Sequence, residues 1–381
     1  MRKVLPMQKS YPSNEMAVES KLKTSKNKQL TKTAAFTDIH WGCKSNSEEH
    51  NQDCARYIDW FCEQVRSDPS IDSIVFIGDW FETRSAVNVM TLQYSYEGAK
   101  KLNQLGLPVY FVIGNHDLYH RHTRKVYSTS HFEEFANFHI INEPTVVPEL
   151  GVGGNLISPF LFPEEYNTLS QYKNLRVWWG HFEFKGFVVT GYNITMPTGP
   201  DPAEFDGPAH IFCGHFHKRQ TSRNITYIGN TFPTNFADSG DTNRGMMVYD
   251  HIADKIVFHN WTDCPSYIKV RLTDLIDGSV TLTQGARVKC IVDVPISFQE
   301  SNMLRQSMIE EYNLREFSME ESHEKNESIE DTETELDLSE ENVEDGDIRT
   351  IDELVIQMLS EIKNEVIDNQ ILIEQYKRLT V

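Results

Sequence analysis

The segment Val109-Tyr110-Phe111-Val112-Ile113 runs directly into Gly114-Asn115-His116-Asp117. An apolar run of this length, bounded by a glycine, is typical of a buried strand. The polar residues that follow offer an amide, an imidazole and a carboxylate at the carboxyl end of that strand. Because open α/β sheets place their ligand sites at this end, the segment predicts a buried strand with a functional site beside it.

Four other stretches repeat this order of an apolar run followed by metal-ligand side chains. They are Asp38-Ile39-His40, Gly78-Asp79, Gly180-His181 and Gly214-His215-Phe216-His217. Oxygen and imidazole ligands suit a pair of divalent ions, and one carboxylate can bridge the two. Together the five stretches predict a two-metal phosphoesterase, with Asp79 as the candidate bridging carboxylate.

The pattern between these stretches indicates an α/β fold. Helices are predicted over about 51–66 and 91–105, between short apolar strands. The later strands, near 175–179, 210–213, 226–228 and 246–249, follow one another too closely for helical crossovers. We therefore expect two mixed β-sheets packed as a sandwich and flanked by helices, rather than one purely parallel sheet.

Composition divides the chain of 381 residues into five parts. Residues 1–32 are a basic, aperiodic stretch that we expect to be a disordered tail. A large domain over 33–262 precedes a small α+β domain over 263–315, with strands near 268–272 and 286–294 and a helix over 298–312. Residues 316–348 are predicted to form an acidic linker, and 349–381 to form amphipathic helices.

The net charge of −20 is unevenly distributed along the chain. Residues 316–347 hold 15 acidic residues against one lysine, whereas residues 1–32 hold eight basic residues against two acidic ones. Binding of nucleic acid would therefore depend on local basic loops or on a partner. The six cysteines form no CxxC pair, and no run of 18 apolar residues occurs, so we expect a cytoplasmic protein without a membrane span.

The motifs DIH, GDWFE, GNHD, GHFEF and GHFH resemble the five signatures of calcineurin-like metallophosphoesterases. The GNHD, GHFEF and GHFH boxes, together with the RGMMVYD segment, are more narrowly similar to the SbcD family of DNA double-strand-break repair nucleases and to its bacteriophage branch. The similarity is strong over about 33–250. It implies that 33–262 is a metallophosphoesterase nuclease domain and that 263–315 is a capping domain that binds DNA.

The resemblance also implies a role for each matching residue. Asp38, His40 and His217 would bind one metal ion, Asn115, His181 and His215 would bind the other, and Asp79 would bridge them. His116 would be the catalytic residue that is not a ligand and that protonates or stabilises the leaving oxygen. Two Mn²⁺ ions are implied, although the ligand set leaves Mg²⁺, zinc or iron open. Glu82 departs from the family pattern and receives no role.

Basic residues near the GNHD and GHFH boxes are candidates for contacts with the DNA backbone. They are Arg121, Arg124, Lys125, Lys218, Arg219 and Arg223. A solvated loop explains each one individually about as well. Only their common position beside the predicted site favours phosphate binding.

Two functions follow from this pattern, together with a third that is not enzymatic. The first is a DNA exonuclease and endonuclease subunit for recombination, repair or replication. It would work with an SbcC-like ATPase through the C-terminal helices, as a homodimer within a heterotetramer. The second is a phosphatase or small-molecule phosphodiesterase, although GNHD and Gly78-Asp79-Trp80-Phe81-Glu82 differ from the phosphatase motifs GNHE and GDxxDRG. The third is a scaffold without catalysis. The C-terminal helices could also fold back on the body of the protein.

Overall fold

The computed structural model describes residues 29–189 and 194–321. Most of the predicted tail, and the predicted C-terminal helices, lie outside these residues. The boundary of the tail at residue 32 is corrected by the structure. Leu30 forms a bridge to Leu150, and Lys32 begins the first strand, so the ordered fold begins before residue 33.

The described residues form seventeen strands. In chain order they are β1 (Lys32–Phe36), β2 (Ser73–Phe76), β3 (Val109–Val112), β4 (Leu118–His120), β5 (Thr123–Tyr127), β6 (Phe138–Ile141), β7 (Thr145–Val147), β8 (Asn155–Ser158), β9 (Val177–Gly180), β10 (His210–Cys213), β11 (Gln220–Ser222), β12 (Ile225–Tyr227), β13 (Gly245–Asp250), β14 (Lys255–Asn260), β15 (Tyr267–Arg271), β16 (Arg287–Val292) and β17 (Glu316–Glu321).

The same residues contain four α-helices, four 3-10 helices and one further helical turn. The helices are α1 (Glu48–Ser67), α2 (Val89–Asn103), α3 (Leu272–Ile276) and α4 (Phe298–Tyr312). Short 3-10 helices lie at Ser130–Glu134, Pro163–Tyr172, Pro202–Phe205 and Phe236–Asp238. The segment Cys43–Asn46 is a helical turn with left-handed backbone at Lys44 and Ser45.

Two six-stranded mixed sheets form the body of the protein, as the sequence predicts. The first sheet has the order β14-β13-β1-β2-β3-β6, and the second has the order β11-β12-β10-β9-β8-β7. Four neighbouring strands in each sheet are parallel, and antiparallel strands lie at the edges. The close spacing of the later strands was therefore a correct indication of a mixed topology.

Alternating side chains along the strands build three apolar layers. Phe36, Phe76 and Phe111 of the first sheet pack against α1 and α2, whereas Ala35 and Val75 face the second sheet. Trp179 and Phe212 of the second sheet fill the layer between the sheets, with ring centroids 4.6 Å apart. A third layer lies on the outer face of the second sheet and includes the 3-10 segment Pro163–Tyr172.

The small domain contains a parallel three-stranded sheet in the order β15-β16-β17, with a separate apolar core that includes residues of α3 and α4. Strand β17 corrects the sequence prediction, which placed residues 316–321 in the acidic linker. Phe317 is fully buried in this core, while Glu316 and Glu320 form cross-strand ion pairs with Arg287 and Lys289. The acidic residues are thus matched by basic ones on β16, which a count of local charge does not detect.

The small domain is attached to α1 by charged contacts. Arg315 donates to both carboxylate oxygens of Asp53, at 2.5 and 2.9 Å, and Asp53 is 2% exposed. Arg287 pairs with Glu49 on the same helix. Across the described part of the chain, no helix is both long and apolar enough to cross a membrane.

Candidate metal centre

The predicted metal-ligand stretches all lie at the carboxyl ends of parallel strands. Asp38, Asp79 and Asn115 follow β1, β2 and β3 of the first sheet, and His181 and His215 follow β9 and β10 of the second. The two sheets present these ends to each other. The structure therefore brings all seven predicted ligands into one site that neither sheet forms alone.

The backbone at this site adopts an unusual conformation. Asp38, His40, Asp79 and His215 all have positive φ angles, of 51°, 51°, 60° and 89°. Residues other than glycine rarely occupy this region, and each such residue costs of order 1–3 kcal/mol. Strain concentrated in four residues of one site is expected where the positions of the side chains matter more than local stability.

A first group of donor atoms consists of Asp38, His40 and His217. The Nε2 atoms of His40 and His217 are 3.1 Å apart, and each is 3.8 Å from Asp38 Oδ1. Burial, followed by the nearby charge of His40, lowers the pKa of His217 to about 4. Two imidazole nitrogens and a carboxylate oxygen converge here, as a divalent cation requires.

A second group consists of Asn115, His181, His215 and Asp79. Asn115 Oδ1 is 2.9 Å from both His181 Nε2 and His215 Nδ1, and Asp79 Oδ2 is 3.2 Å from His181 Nε2. An amide oxygen between two imidazole nitrogens needs a proton on one of them or a cation among the three. The donor set therefore fits a second metal ion.

Asp79 lies between the two groups. Its Oδ2 atom is 3.2 Å from His181 Nε2 and 3.9 Å from His40 Nε2, and the residue is 1% exposed. Burial acts to raise the pKa of this carboxyl, but His181 and His116 outweigh it, and the pKa lies well below its usual range. A charged carboxylate is thus within reach of both groups, as bridging requires.

The opposite nitrogens of these histidines have partners that fix the rings. His181 Nδ1 donates to the carbonyl of Ile77 at 2.7 Å, and His215 Nε2 is 3.2 Å from Glu183 Oε2. With a proton on the outer nitrogen, the inner nitrogen keeps its lone pair for a metal. Burial acts to lower the pKa of His181, but Asp79 and Asp38 raise it to about 9.

Glu82, which the sequence left without a role, contacts the first group. Its Oε2 atom is 2.7 Å from His40 Nδ1, on the side of the ring away from Asp38. Burial acts to raise the pKa of Glu82, but His40 outweighs it and lowers this pKa to about 2. Burial likewise lowers the pKa of His40, whereas Glu82 and Asp38 raise it well above its ordinary value. Glu82 therefore orients His40 electrostatically.

His116 lies beside the two groups of donors, and its ring is roughly perpendicular to that of His40. Its backbone N–H donates to Asp79 Oδ1 at 2.9 Å, and its Nδ1 donates to the carbonyl of Glu82 at 2.7 Å. The ring is 5.0 Å from that of His40, in an edge-on arrangement. Because Nδ1 makes this hydrogen bond, Nε2 is the ring nitrogen that can make a further contact.

Two acidic residues of the motifs, Asp117 and Glu183, also support the site. The sequence alone predicted no role for either of them. Asp117 accepts backbone N–H groups from Asp79, Trp80, Phe81 and Gly114, at 3.0 to 3.2 Å. Glu183, from the GHFEF box, contacts His215 as described above. Carboxylates inside ligand motifs are a signal for such support, since metal-bound imidazoles are commonly oriented by acids.

Several of the six proposed DNA contacts already have partners within the protein. Arg124 forms a two-pronged ion pair with Glu165 and donates to the carbonyls of Asn142 and Phe160. Arg219 donates to Asn260 at 2.7 Å and lies over the ring of Phe258. The assignment of Arg124 to the DNA backbone is therefore corrected, because its guanidinium group stabilises the fold.

The remaining candidates differ in their surroundings. Arg223 is exposed but pairs with Asp206 through two nitrogens. Arg121 and Lys125 are exposed on the hairpin of β4 and β5, and Lys218 is half-buried next to His217. Among the six candidates, Arg121 and Lys125 are thus exposed on the hairpin that directly follows GNHD, whereas the exposed Arg223 lies in an ion pair.

The two-sheet body is similar to a known protein family. Residues 31–219 match the family model described as calcineurin-like phosphoesterase. The chain therefore contains a calcineurin-like phosphoesterase domain, and members of that family depend on two metal ions.

A protein of a bacteriophage is also similar to this chain in sequence. The chain is 25% identical over 185 residues to "Exonuclease subunit 1" of Enterobacteria phage T4, which is 48% of this chain and 53% of that protein. The match thus spans about half the length of the relative. The predicted resemblance to an SbcD-like phage nuclease subunit is confirmed over this matched half of the chain.

Two solved structures are also similar. A dimetal phosphatase from Danio rerio has a TM-score of 0.39 and 10% identity, and the match covers 61% of this chain and 96% of that one. A Pseudomonas putida nuclease has a TM-score of 0.28 and 13% identity, with coverage of 59% and 87%.

The contact between Glu82 and His40 predicts an asymmetric effect on metal binding. Glu82→Gln removes the charge that makes His40 a stronger ligand, so Mn²⁺ should bind about 10- to 100-fold more weakly at one of two sites. Isothermal titration with Mn²⁺ measures both affinities. Glu134→Gln, at an exposed position, is the control and should leave them unchanged. Equal weakening of both sites would contradict the assignment.

Proposed function

We propose that this protein is the nuclease subunit of a DNA-processing complex and hydrolyses phosphodiester bonds at a two-metal centre. The observation that carries the proposal is that two groups of metal donors converge on Asp79. The similarity to a protein named as an exonuclease subunit supports DNA as the substrate. Exonuclease and endonuclease activity, in recombination, repair or replication, are both part of the proposal.

The described side chains divide the work of hydrolysis between them. Asp38, His40 and His217 would hold one ion, Asn115, His181 and His215 would hold the other, and Asp79 lies within reach of both groups. Bound divalent ions, Mn²⁺ in this proposal, supply an activated water and offset negative charge on the phosphate. The left-handed backbone and the outer hydrogen bonds keep the ligands in place before substrate arrives.

His116 acts on the leaving oxygen. Because Nδ1 donates to the carbonyl of Glu82, the neutral ring carries its proton on Nδ1 and a lone pair on Nε2. Only the imidazolium form has a proton on Nε2, and this is the proton that passes to the leaving oxygen. The hydrogen bond from the backbone of His116 to Asp79 fixes the residue relative to the bridging carboxylate.

The hairpin of β4 and β5 is the proposed contact with the DNA backbone. It follows GNHD directly and exposes Tyr119, Arg121, His122 and Lys125. Arg124 anchors the hairpin through Glu165 and the carbonyl of Asn142. A basic strand pair with an exposed aromatic ring suits phosphate contact and base stacking.

The partner assignment rests on the sequence and on the relative. Residues 349–381, the proposed contact for an SbcC-like ATPase, lie outside the described residues. The relative's name as a subunit supports a partner, and its phage origin supports the host cytoplasm as the location. The homodimer within a heterotetramer stays a prediction.

A comparison of substrates tests the function. With Mn²⁺, the purified protein should degrade linear duplex DNA in preference to a phosphopeptide, because the proposed hairpin contact needs a polynucleotide backbone, which a phosphopeptide lacks. His116→Ala should slow cleavage by about 10²- to 10⁴-fold while two ions per chain remain bound. His139→Ala, on β6 away from the donor groups, is the control for replacement of a histidine.

Two results would contradict the proposed nuclease function or the proposed role of His116. Preferential release of phosphate from the phosphopeptide would favour the phosphatase alternative. Loss of metal from the His116→Ala protein would show that His116 is a ligand rather than an acid.

Salt dependence tests the hairpin. Replacing Arg121 and Lys125 together by alanine removes about two phosphate contacts, so the slope of log K against log salt should fall by about 2. Filter binding or fluorescence anisotropy at several salt concentrations provides the slope. Lys255→Ala, exposed on the edge strand β14, should not alter it. An unchanged slope in the double variant would remove the hairpin from the interface.

Deletion tests the partner segment. A chain that ends at residue 348 should no longer co-purify with an SbcC-like ATPase but should still bind two metal ions per chain, because every proposed ligand precedes residue 218. Continued association after the deletion would place the contact elsewhere.

A further inference from the structure

A cavity of about 550 Å³ opens beside the second group of metal donors. Its walls come from the segment after β8, including the 3-10 helix Pro163–Tyr172, and from residues 198–205. The lining includes three aromatic rings, two carboxylates, one lysine and several small polar side chains. The lining side chains include Phe160, Glu183, Lys173, Ser170 and Thr198.

The cavity borders the imidazole of His215, which is one of the proposed metal donors. The ring of Phe160 is 5.8 Å from that of His215, and Glu183 Oε2 is 3.2 Å from His215 Nε2. The other side of the same imidazole faces Asn115 through Nδ1. A group attached to a phosphate at the metal centre could therefore reach into the cavity.

The side chains that line the cavity limit the kind of molecule that it can bind. The two carboxylates, opposed by one lysine, disfavour a second phosphate group. Carboxylates accept hydrogen bonds from amino groups, and aromatic faces stack on planar rings. The volume lies within the range of small-molecule sites. These properties together describe a neutral, planar group that carries hydrogen-bond donors.

We propose that this cavity binds the nucleoside next to the phosphate that is cleaved, with its base against Phe160 and its polar edge near Glu183. The inference rests on the proposed nuclease function and adds a site that recognises one nucleoside of the strand. Glu183 then has two contacts, one with His215 and one with the base. Occupation of the cavity would place the adjoining phosphate next to the second group of donors.

The test uses a free nucleoside, which contains no bond that the metal centre could cleave. Deoxyadenosine should bind the full-length, Mn²⁺-loaded protein at one site per chain in isothermal titration. The sugar 2-deoxyribose, which lacks the base, should show no binding. Ser170→Trp places an indole in the cavity and should weaken the binding of deoxyadenosine at least about tenfold, which corresponds to about 1.4 kcal/mol.

Matched variants separate the cavity from general effects on the fold. Thr168→Trp is the control, because Thr168 is exposed on the same 3-10 helix but does not line the cavity. Both hydroxyls donate to the carbonyl three residues before, so each variant loses the same kind of hydrogen bond. Thr198→Trp fills the cavity from the opposite wall and should reproduce the effect of Ser170→Trp if that variant folds poorly.

The outcomes distinguish this inference from the nuclease function. A protein that cleaves DNA but does not bind deoxyadenosine, or that binds it equally well as the Ser170→Trp and Thr198→Trp variants, overturns the nucleoside site alone. A protein that binds deoxyadenosine in the cavity but does not cleave DNA supports the site and refutes the nuclease function.

Discussion

The carboxylate of Asp117 joins the two loops that carry the bridging residue and the proposed acid. It accepts N–H groups from Asp79, Trp80 and Phe81 in one loop and from Gly114 in the other. Asp117 is fully buried, and burial together with the charge of Asp79 raises its pKa to about 6. A buried N–H group left without an acceptor costs about 1–3 kcal/mol, so this one side chain satisfies amides that the strained loops could not otherwise pair.

The two sheets must approach closely for their donors to meet, and glycines at the strand ends permit it. Gly78 has a φ of 96°, and a Cβ atom there would lie 2.5 Å from His181 Nδ1. At Gly214 a Cβ atom would lie 2.2 Å from Thr37 Oγ1. The apolar layer that includes Trp179 and Phe212 sets the separation of the sheets, so the geometry of the metal donors depends on the packing of the core.

Sequence reasoning predicted the mixed sheets, because buried strands give short apolar runs and their spacing excludes crossovers. It also predicted helix α4 at its observed bounds, Phe298–Tyr312. It failed at β17, where acidic residues pair with basic ones that are distant in sequence. The same limitation explains why the sequence assigned Arg124 to the DNA backbone and predicted no role for Glu82. Their partners, Glu165 and His40, are brought near by folding, and no local pattern contains that information.

The net charge of −20 does not oppose a DNA substrate, because screening makes charge a local property. At physiological ionic strength the Debye length is about 8 Å, so exposed acidic residues far from a contact have little influence on it. Fifteen of the acidic residues lie within 316–347, and others are paired, as Asp53 is with Arg315. Near the proposed site, the buried carboxylates of Asp38 and Asp79 would be offset by bound cations. The proposed contact of Arg121 and Lys125 with the phosphate backbone is therefore compatible with a chain that is acidic as a whole.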